Sequence, residues 1–487
     1  MEGPTSPDAA DHPIFRDSVR APGGPLILTG IAIATAGITR RQLALLVPSL
    51  LQFVSRARGA TAVARPAWEV CRYSPELIDR ARKAALAGQR PPVTYQPLGD
   101  AITADAISPS AFGAKGDGMT DDTEAMRRAL VEAARSGRTL ILTGTYRITA
   151  PLRVEVDRPF TMLGAKGRPA GLAIDHAEPH SRGDCLDIAG RPGAVTPVLL
   201  HGFFVGRTVE PPFNGARLLK VSNVSGLTMD GIELYRSSGY SFLAQDVSGA
   251  MVSRCYVHDN LSGPQHRSGT DGLHFYEACR DVLAYDNRVE RVGDDAISFG
   301  SYNGLKPNLG AVIASNQVTD VAGSIKVYGA ARNIVIADNS VTRGLNGGVT
   351  LWDDRNEGQS FDITDVSILS NVLTQCGGPA VSAGIYLMMS TGNGQGQMRR
   401  ITIRNNICRD CKMGITLASF APHKRFWDVV VEGNQIIQPK MGTAVFVKGV
   451  AGDVTLSNNR FTGTRGKPVQ ITSVDGGRVI EKGTISR

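Results

Sequence analysis

Three carboxylates offer the first chemistry in this chain. Asp294 follows Asp271 by 23 residues, and Asp295 stands directly beside it. Carboxyls gathered into one site repel each other, so at least one keeps its proton while another stays ionised. Such a set can protonate a leaving oxygen and activate a water. An adjacent Asp pair also has plainer uses, as a solvated turn or as part of a calcium site. The scaffold decides between them, because residues this far apart meet only if the chain returns on itself at about that interval.

The chain does return. The pattern apolar–any–apolar, usually after a small residue, recurs at Leu186, Leu219, Leu243, Leu273, Ile297, Ile325, Val349, Ile385, Ile415 and Val445, at intervals of 33, 24, 30, 24, 28, 24, 36, 30 and 30 residues. The segments between are rich in Gly and Asn and lack a 3.6-residue period, so each repeat predicts a rung of short strands without a helix. A second column keeps step with the first. Asn-any-apolar appears at Asn287, Asn316, Asn339, Asn371, Asn405, Asn434 and Asn459, with Asp230 and Cys255 expected in the same place on earlier rungs. Asn tolerates left-handed backbone and bonds nearby peptide groups, which suits a tight bend, and stacked bends can form an amide ladder. Two columns in phase predict an all-β fold, a single-stranded right-handed parallel β-helix, in which each rung buries its inward side chains against its neighbours.

An open coil end needs a cover. Thr120 to Ser136 reads as an amphipathic helix, with Asp121 and Asp122 at its start, Ala125, Met126, Leu130 and Ala133 on one side and Gly137 closing it. It predicts the N-terminal cap, and the following LILTGTYRIT the first strand-turn-strand. Composition agrees with a chain that turns often: 55 Gly among 487 residues and only 6% aromatics. The 42% apolar content excludes a disordered chain, and the glycines have no collagen period. Net charge is +8, spread without the basic runs of a nucleic-acid arm. No nucleic-acid partner is expected, and the excess allows weak attraction for an acidic polymer. The 7 Cys have irregular spacing, and Cys408-Arg-Asp-Cys411 has no second pair for zinc. They read as small buried apolar residues.

Strand alternation places one column on the outside of the coil beside the acids. With Leu273, Ile297, Ile325 and Val349 inward, His274, Ser298, Lys326 and Thr350 face out, followed by Tyr386, Thr416 and Phe446. Two residues further along each strand stand Tyr276, Tyr328, Trp352 and Met388. A polar and aromatic stripe of this kind suits a sugar: rings stack on its faces, and Lys326 can meet a carboxylate or a hydroxyl. The expected substrate-binding residues are His274, Lys326, Tyr328, Trp352, Asp354 and Tyr386, beside Asp271, Asp294 and Asp295 as the catalytic set.

Phe112-Gly-Ala-Lys-Gly-Asp-Gly-Met-Thr-Asp-Asp-Thr123 resembles the motif that precedes the capping helix in the pectin-lyase-like β-helix superfamily, over roughly residues 108–487. Within that superfamily, Ser268-Gly-Thr-Asp271-Gly-Leu-His274 and Gly293-Asp294-Asp295-Ala-Ile297 are similar to the two acidic segments of polygalacturonase-type glycoside hydrolases of family 28. The resemblance implies an inverting hydrolase in which Asp294 is the acid and Asp271 and Asp295 hold the water. It also shows departures. The family's Gly-His-Gly rung reads Ala322-Gly-Ser-Ile-Lys326-Val-Tyr328 here, and its Arg-Ile-Lys rung reads Gly347-Gly-Val-Thr-Leu-Trp352-Asp-Asp354. The galacturonate-reading groups are therefore absent, and a polymer other than plain pectin is expected.

Two other functions fit the same fold. A polysaccharide lyase or uronate epimerase would take a base from Lys326, His274 or Tyr328 and use the three Asp as Ca²⁺ ligands. The hydrolase needs no cofactor or metal. A non-catalytic polysaccharide-binding coil is the other alternative, since fold does not fix function.

The N-terminal region carries an address. Arg40-Arg41 after Thr39, then the apolar run Leu43 to Val54 and small residues, resembles a twin-arginine (Tat) export signal. It predicts a periplasmic or extracellular protein that meets the Tat machinery. The expected division is 1–65 as tail and signal, 66–108 as a segment with a short helix over Ser74 to Ala87 and a Pro-rich linker, and 109–487 as the β-helix.

Overall fold

The computed structural model describes residues 68–208, 215–260, 269–353, 361–379, 383–390, 396–421, 424–450, 452–474 and 477–486. The Tat-like segment and Asp354 lie outside the described residues.

Short strands wind into a right-handed parallel coil with three strands per turn, stacked as three ladders. The first ladder runs from Leu152–Val156 through Leu273–Tyr276, Ile297–Ser301, Ile325–Gly329 and Val349–Trp352 to Val469–Val474. The second runs from Leu140–Leu142 to Arg478–Lys482, and the third from Asp117–Asp121 to Ile485–Ser486. The coil therefore starts one strand before the predicted strand-turn-strand, because Asp117–Asp121 pairs parallel with Thr145–Ile148.

Inward side chains make one continuous core that includes Leu273, Phe275, Ile297, Phe299, Ile325, Val327, Val349 and Leu351. Their alternation along each strand is the sequence period of two made visible. At one position the predicted phase is off by a residue. Phe242, not Leu243, pairs with Leu219 and Leu273 and points inward, so Leu243 joins the outer column between Lys220 and His274. Both residues are apolar, and only the ladder register separates them.

The bend between the second and third ladders holds the amide ladder. Asn287, Asn316, Asn339, Asn371, Asn406, Asn434 and Asn459 are stacked, each Nδ2 from Asn287 to Asn434 donating to the next Oδ1 at 2.9–3.0 Å. The stacked residue is Asn406, not Asn405. The left-handed residue is the one before each ladder Asn: Asp286, Ser315, Asp338, Ser370, Asn405 and Asn458 all have φ between 50° and 60°. Conformation and side-chain bonding are thus divided between two neighbours. Cys255 holds the expected place, its N–H donating 3.0 Å to Asn287 Oδ1. Asp230 does not: it pairs with Ser253, and Ile232 falls in the ladder position.

The capping helix spans Thr123–Ser136, with Ala125, Met126, Leu130 and Ala133 buried and Gly137 closing it at φ 74°. Asp122 does not cap through its side chain. Its carboxylate accepts the N–H groups of Lys115 and Gly116 and so ties down the preceding loop. The helix expected over Ser74 to Ala87 runs Pro75–Leu86, capped by Ser74, and lies on the outer face of the second ladder. Its Leu77, Ile78, Ala81 and Ala85 meet Met251, Leu283, Val312, Val335 and Leu369. All seven Cys are buried and free. Among the described residues no helix is long and apolar enough to cross a membrane.

Candidate active site

The bend from the third ladder back to the first carries the acids. Asp271 and Asp295 each lie two residues before a first-ladder strand, and the Gly272 N–H donates to the Asp295 carbonyl, so successive turns set one carboxyl over the next. One carboxylate oxygen from each of Asp271, Asp294 and Asp295 lies within 4.8 Å of the other two. Asp271 and Asp295 are buried, and Asp294 is half-buried.

Each acid has its own set of donors. Asp271 Oδ2 meets His274 Nδ1 and Ser298 Oγ, both at 2.6 Å. Asp294 Oδ2 accepts the Gly269 N–H at 2.8 Å. Asp295 Oδ1 accepts the Ser324 N–H at 2.9 Å, and its Oδ2 stands 3.2 Å from Lys326 Nζ. Gly323 makes the Asp295 contact feasible: a Cβ there would sit 2.3 Å from Asp295 Oδ1.

Burial, and then the Asp295 charge, pushes the Asp271 carboxyl up to about 7. Ser298 and Lys326 act against that rise. Close-set carboxyls repel one another, so Asp271 keeps its proton toward neutral pH. Burial, and then the Lys326 charge, pushes His274 down to about 3, so its imidazole is neutral. A neutral ring donates from one nitrogen and accepts at the other. Here Nδ1 faces Asp271, and Nε2 faces the Tyr328 hydroxyl at 2.7 Å.

The outer stripe has the predicted register: His274, Ser298, Lys326, Thr350, Tyr386, Thr416 and Phe446 pair in succession. Its members differ in access. His274 and Tyr328 are buried, wired to each other and to Asp271. Tyr328 lies over Gly300, where a Cβ would come 2.6 Å from its Cδ1, and against Tyr302, with ring centroids 4.8 Å apart. Lys326 Nζ lies between Asp295 and the Trp352 ring, 4.8 Å from the ring centroid. Tyr386 is buried in a separate apolar cluster with Met413, Ala418 and Phe446, removed from the acids. Asp353, the residue before the expected Asp354, forms a buried ion pair with Lys424 at 2.6 Å.

Ser298, Ser324 and Tyr240 were not among the predicted site residues. Tyr240 stacks on His274, with centroids 4.3 Å apart, and the Arg217 guanidinium lies 5.8 Å from the Tyr240 ring. A usable signal exists: Arg217 and Tyr240 stand two residues before first-ladder strands, as Asp271 and Asp295 do.

Comparison with known proteins places the architecture. The model of the right-handed beta helix region matches residues 213–362, and that of the periplasmic copper-binding protein NosD matches 305–487. No curated protein matches the chain. Among solved structures, the catalytic unit of the thermostable GH87 α-1,3-glucanase from Streptomyces thermodiastaticus strain HF3-3 is 17% identical, with TM-score 0.55 over 80% of this chain and 69% of that one. The Agl-KA catalytic domain is 14% identical, with TM-score 0.52 over 78% and 68%. The hyperthermoactive exopolygalacturonase from Thermotoga maritima is 13% identical, with TM-score 0.49 over 84% and 96%. The first two show that the coil is shared.

Proposed function

We propose that the chain is an exported glycoside hydrolase that cleaves a polysaccharide at the Asp271–Asp294–Asp295 cluster, with inversion at the anomeric carbon and no metal. The observation that carries this reading is the convergence of three carboxyls within 4.8 Å, one of them reaching solvent. Asp294, the half-buried member beside the raised Asp271, is the acid that hands a proton to the leaving oxygen. Asp295, beside Lys326 and Ser324, and Asp271, held by His274 and Ser298, are the carboxylates that hold the water. Lys326 and Trp352 face the sugar. His274 and Tyr328 act as positioning residues, since both ring nitrogens of His274 are engaged within the protein. The same engagement weighs against a lyase or epimerase using either as its base.

A water lying between opposed acid and base needs about 6.5–9.5 Å, whereas a retaining pair stands about 5–5.5 Å apart. In the trio, one oxygen from each carboxyl lies within 4.8 Å of the others. We therefore place the water at the flank of Asp271 and Asp295, with Asp294 addressing the leaving oxygen.

A panel of polysaccharides, read by reducing ends and by ultraviolet absorbance of unsaturated uronate, tests the class of reaction. New reducing ends without absorbance are expected, with the inverted anomer seen first by NMR. Absorbance would make the protein a lyase. A retained anomer would make one of the acids a nucleophile. Binding without turnover across the panel would leave a carbohydrate-binding coil.

A further inference from the structure

The corner column that carries Asp271 and Asp295 continues toward the N-terminal end as Tyr240, Arg217 and Asp184, each two residues before its first-ladder strand. Beside it, the outer column continues from His274 through Leu243 and Lys220 to Asp187 and Arg153. The two columns border a cleft of about 390 Å³ whose lining includes Arg153, Arg182, Asp184, Asp187, Arg217 and Lys220. Four cations thus face two carboxylates.

Several of these charges are already matched. Arg217 Nη1 meets Asp184 at 3.3 Å, Arg182 meets Glu178 at 3.1 Å, and Arg153 meets Glu155 at 3.2 Å and stands 3.9 Å from Asp187. Lys220 makes no ion pair among the described residues. Among the described residues, two buried atoms of opposite hydrogen-bonding sense lack partners, the donor Arg217 Nε and the acceptor Asp187 Oδ1. The Asp187 residue itself is only 7% exposed. A buried polar atom without a partner is costly, and a ligand that supplies one recovers that cost. The ligand that satisfies both atoms brings an acceptor for Arg217 and a hydroxyl donor for Asp187. The unpaired Lys220 ammonium favours a charged acceptor.

We propose that this cleft is a subsite for an anionic sugar residue, whose carboxylate or sulfate is taken by Arg217 and Lys220 and whose hydroxyl donates to Asp187. Lys220 lies two rungs from His274, about 10 Å at about 4.8 Å per rung. Arg217, Tyr240 and His274 form an unbroken path of ring contacts to the acids. A glycan lying along the outside of the coil therefore occupies cleft and acids together. Burial raises the Asp187 carboxyl above its ordinary range, which lessens its repulsion of the anion. The subsite rests on the hydrolase reading for its neighbour and names the substrate class, an acidic glycan.

Isothermal titration of the full chain carrying Asp294→Asn separates binding from cleavage. The probes are short oligogalacturonides, short sulfated galactan oligomers and the carboxyl-reduced or desulfated counterpart of each. An acidic oligomer is expected to bind about tenfold tighter than its neutral counterpart, the effect of one charge-assisted contact. Lys220→Glu should abolish that difference while leaving the melting temperature unchanged, and Arg182→Ala, at an exposed side chain, should reduce it. The preferred acidic probe tells carboxylate from sulfate. Acidic oligomers that bind no better than their neutral counterparts, or not at all, would overturn the subsite, as would an acidic preference that survives Lys220→Glu. Continued turnover by Asp294→Asn would instead overturn the hydrolase reading and leave the subsite standing.

Discussion

Two bends of the same coil stack like on like, with opposite results. At the bend between the second and third ladders, seven Asn side chains stack and satisfy one another. At the bend between the third and first, Asp271 and Asp295 stack with Asp294 beside them, and the cluster must recruit Ser298, His274, Ser324, Lys326 and Gly269 as donors. An amide carries donor and acceptor, so repetition along the coil completes it. An ionised carboxylate only accepts, so repetition leaves it in need. The first bend is complete in itself, and the second depends on donors from neighbouring rungs.

Exchanging the two chemistries breaks the comparison most sharply. Asp294→Asn should lower kcat by about a thousandfold, the range of a lost general acid, with thermal unfolding unchanged. Retained turnover would remove the acids from the chemistry. In the other direction, Asn371→Asp removes the Nδ2 donor that serves Ile336 O and Asn406 Oδ1. A fall of about 3 kcal/mol in denaturant stability is expected, the cost of a buried charge facing an unpaired acceptor. Stability unchanged at neutral pH would show that the ladder is ornamental.

Lys326→Met should reduce kcat/KM by about tenfold, losing one charged contact, and the same loss lets the Asp271 carboxyl rise further. The smallest effect concerns pH. Because the folded Asp271 carboxyl sits near 7, above its ordinary value, its contribution to stability is complete below about pH 4 and is lost as pH rises through 7. The folded Asp271 carboxyl gives up its proton near pH 7, so kcat/KM should fall on the alkaline side of pH 7. Ser298→Ala removes a bond that favours the charged form and should move that limb upward; a downward movement would contradict the assignment.

The rung period and the amide column were legible because each turn of the coil must repeat them. Errors came where two neighbouring residues fit one template: Phe242 beside Leu243, Asn405 beside Asn406. The acids were legible from residue type and interval. The wiring beneath them was not, because alternation tells which side of a strand a residue takes and not what folds over it. Tyr328 sits on the outside of the coil yet is buried, owing to Gly300 beneath it and Tyr302 beside it. Arg217 and Tyr240 fall outside the expected set because the sequence column begins inside the strands, whereas both residues, like Asp271 and Asp295, stand two residues earlier.

The helix Pro75–Leu86 has a mechanical consequence. At about 1.5 Å per residue it is about 18 Å long and crosses the grain of the coil, touching second-ladder strands on the turns from Met251 to Leu369. Those turns also carry Asp271, Asp295, Lys326 and Trp352 on their first-ladder side. A solenoid otherwise opens one layer at a time. Here a transverse helix splints these layers together, so the turns that carry the acids are braced as one block.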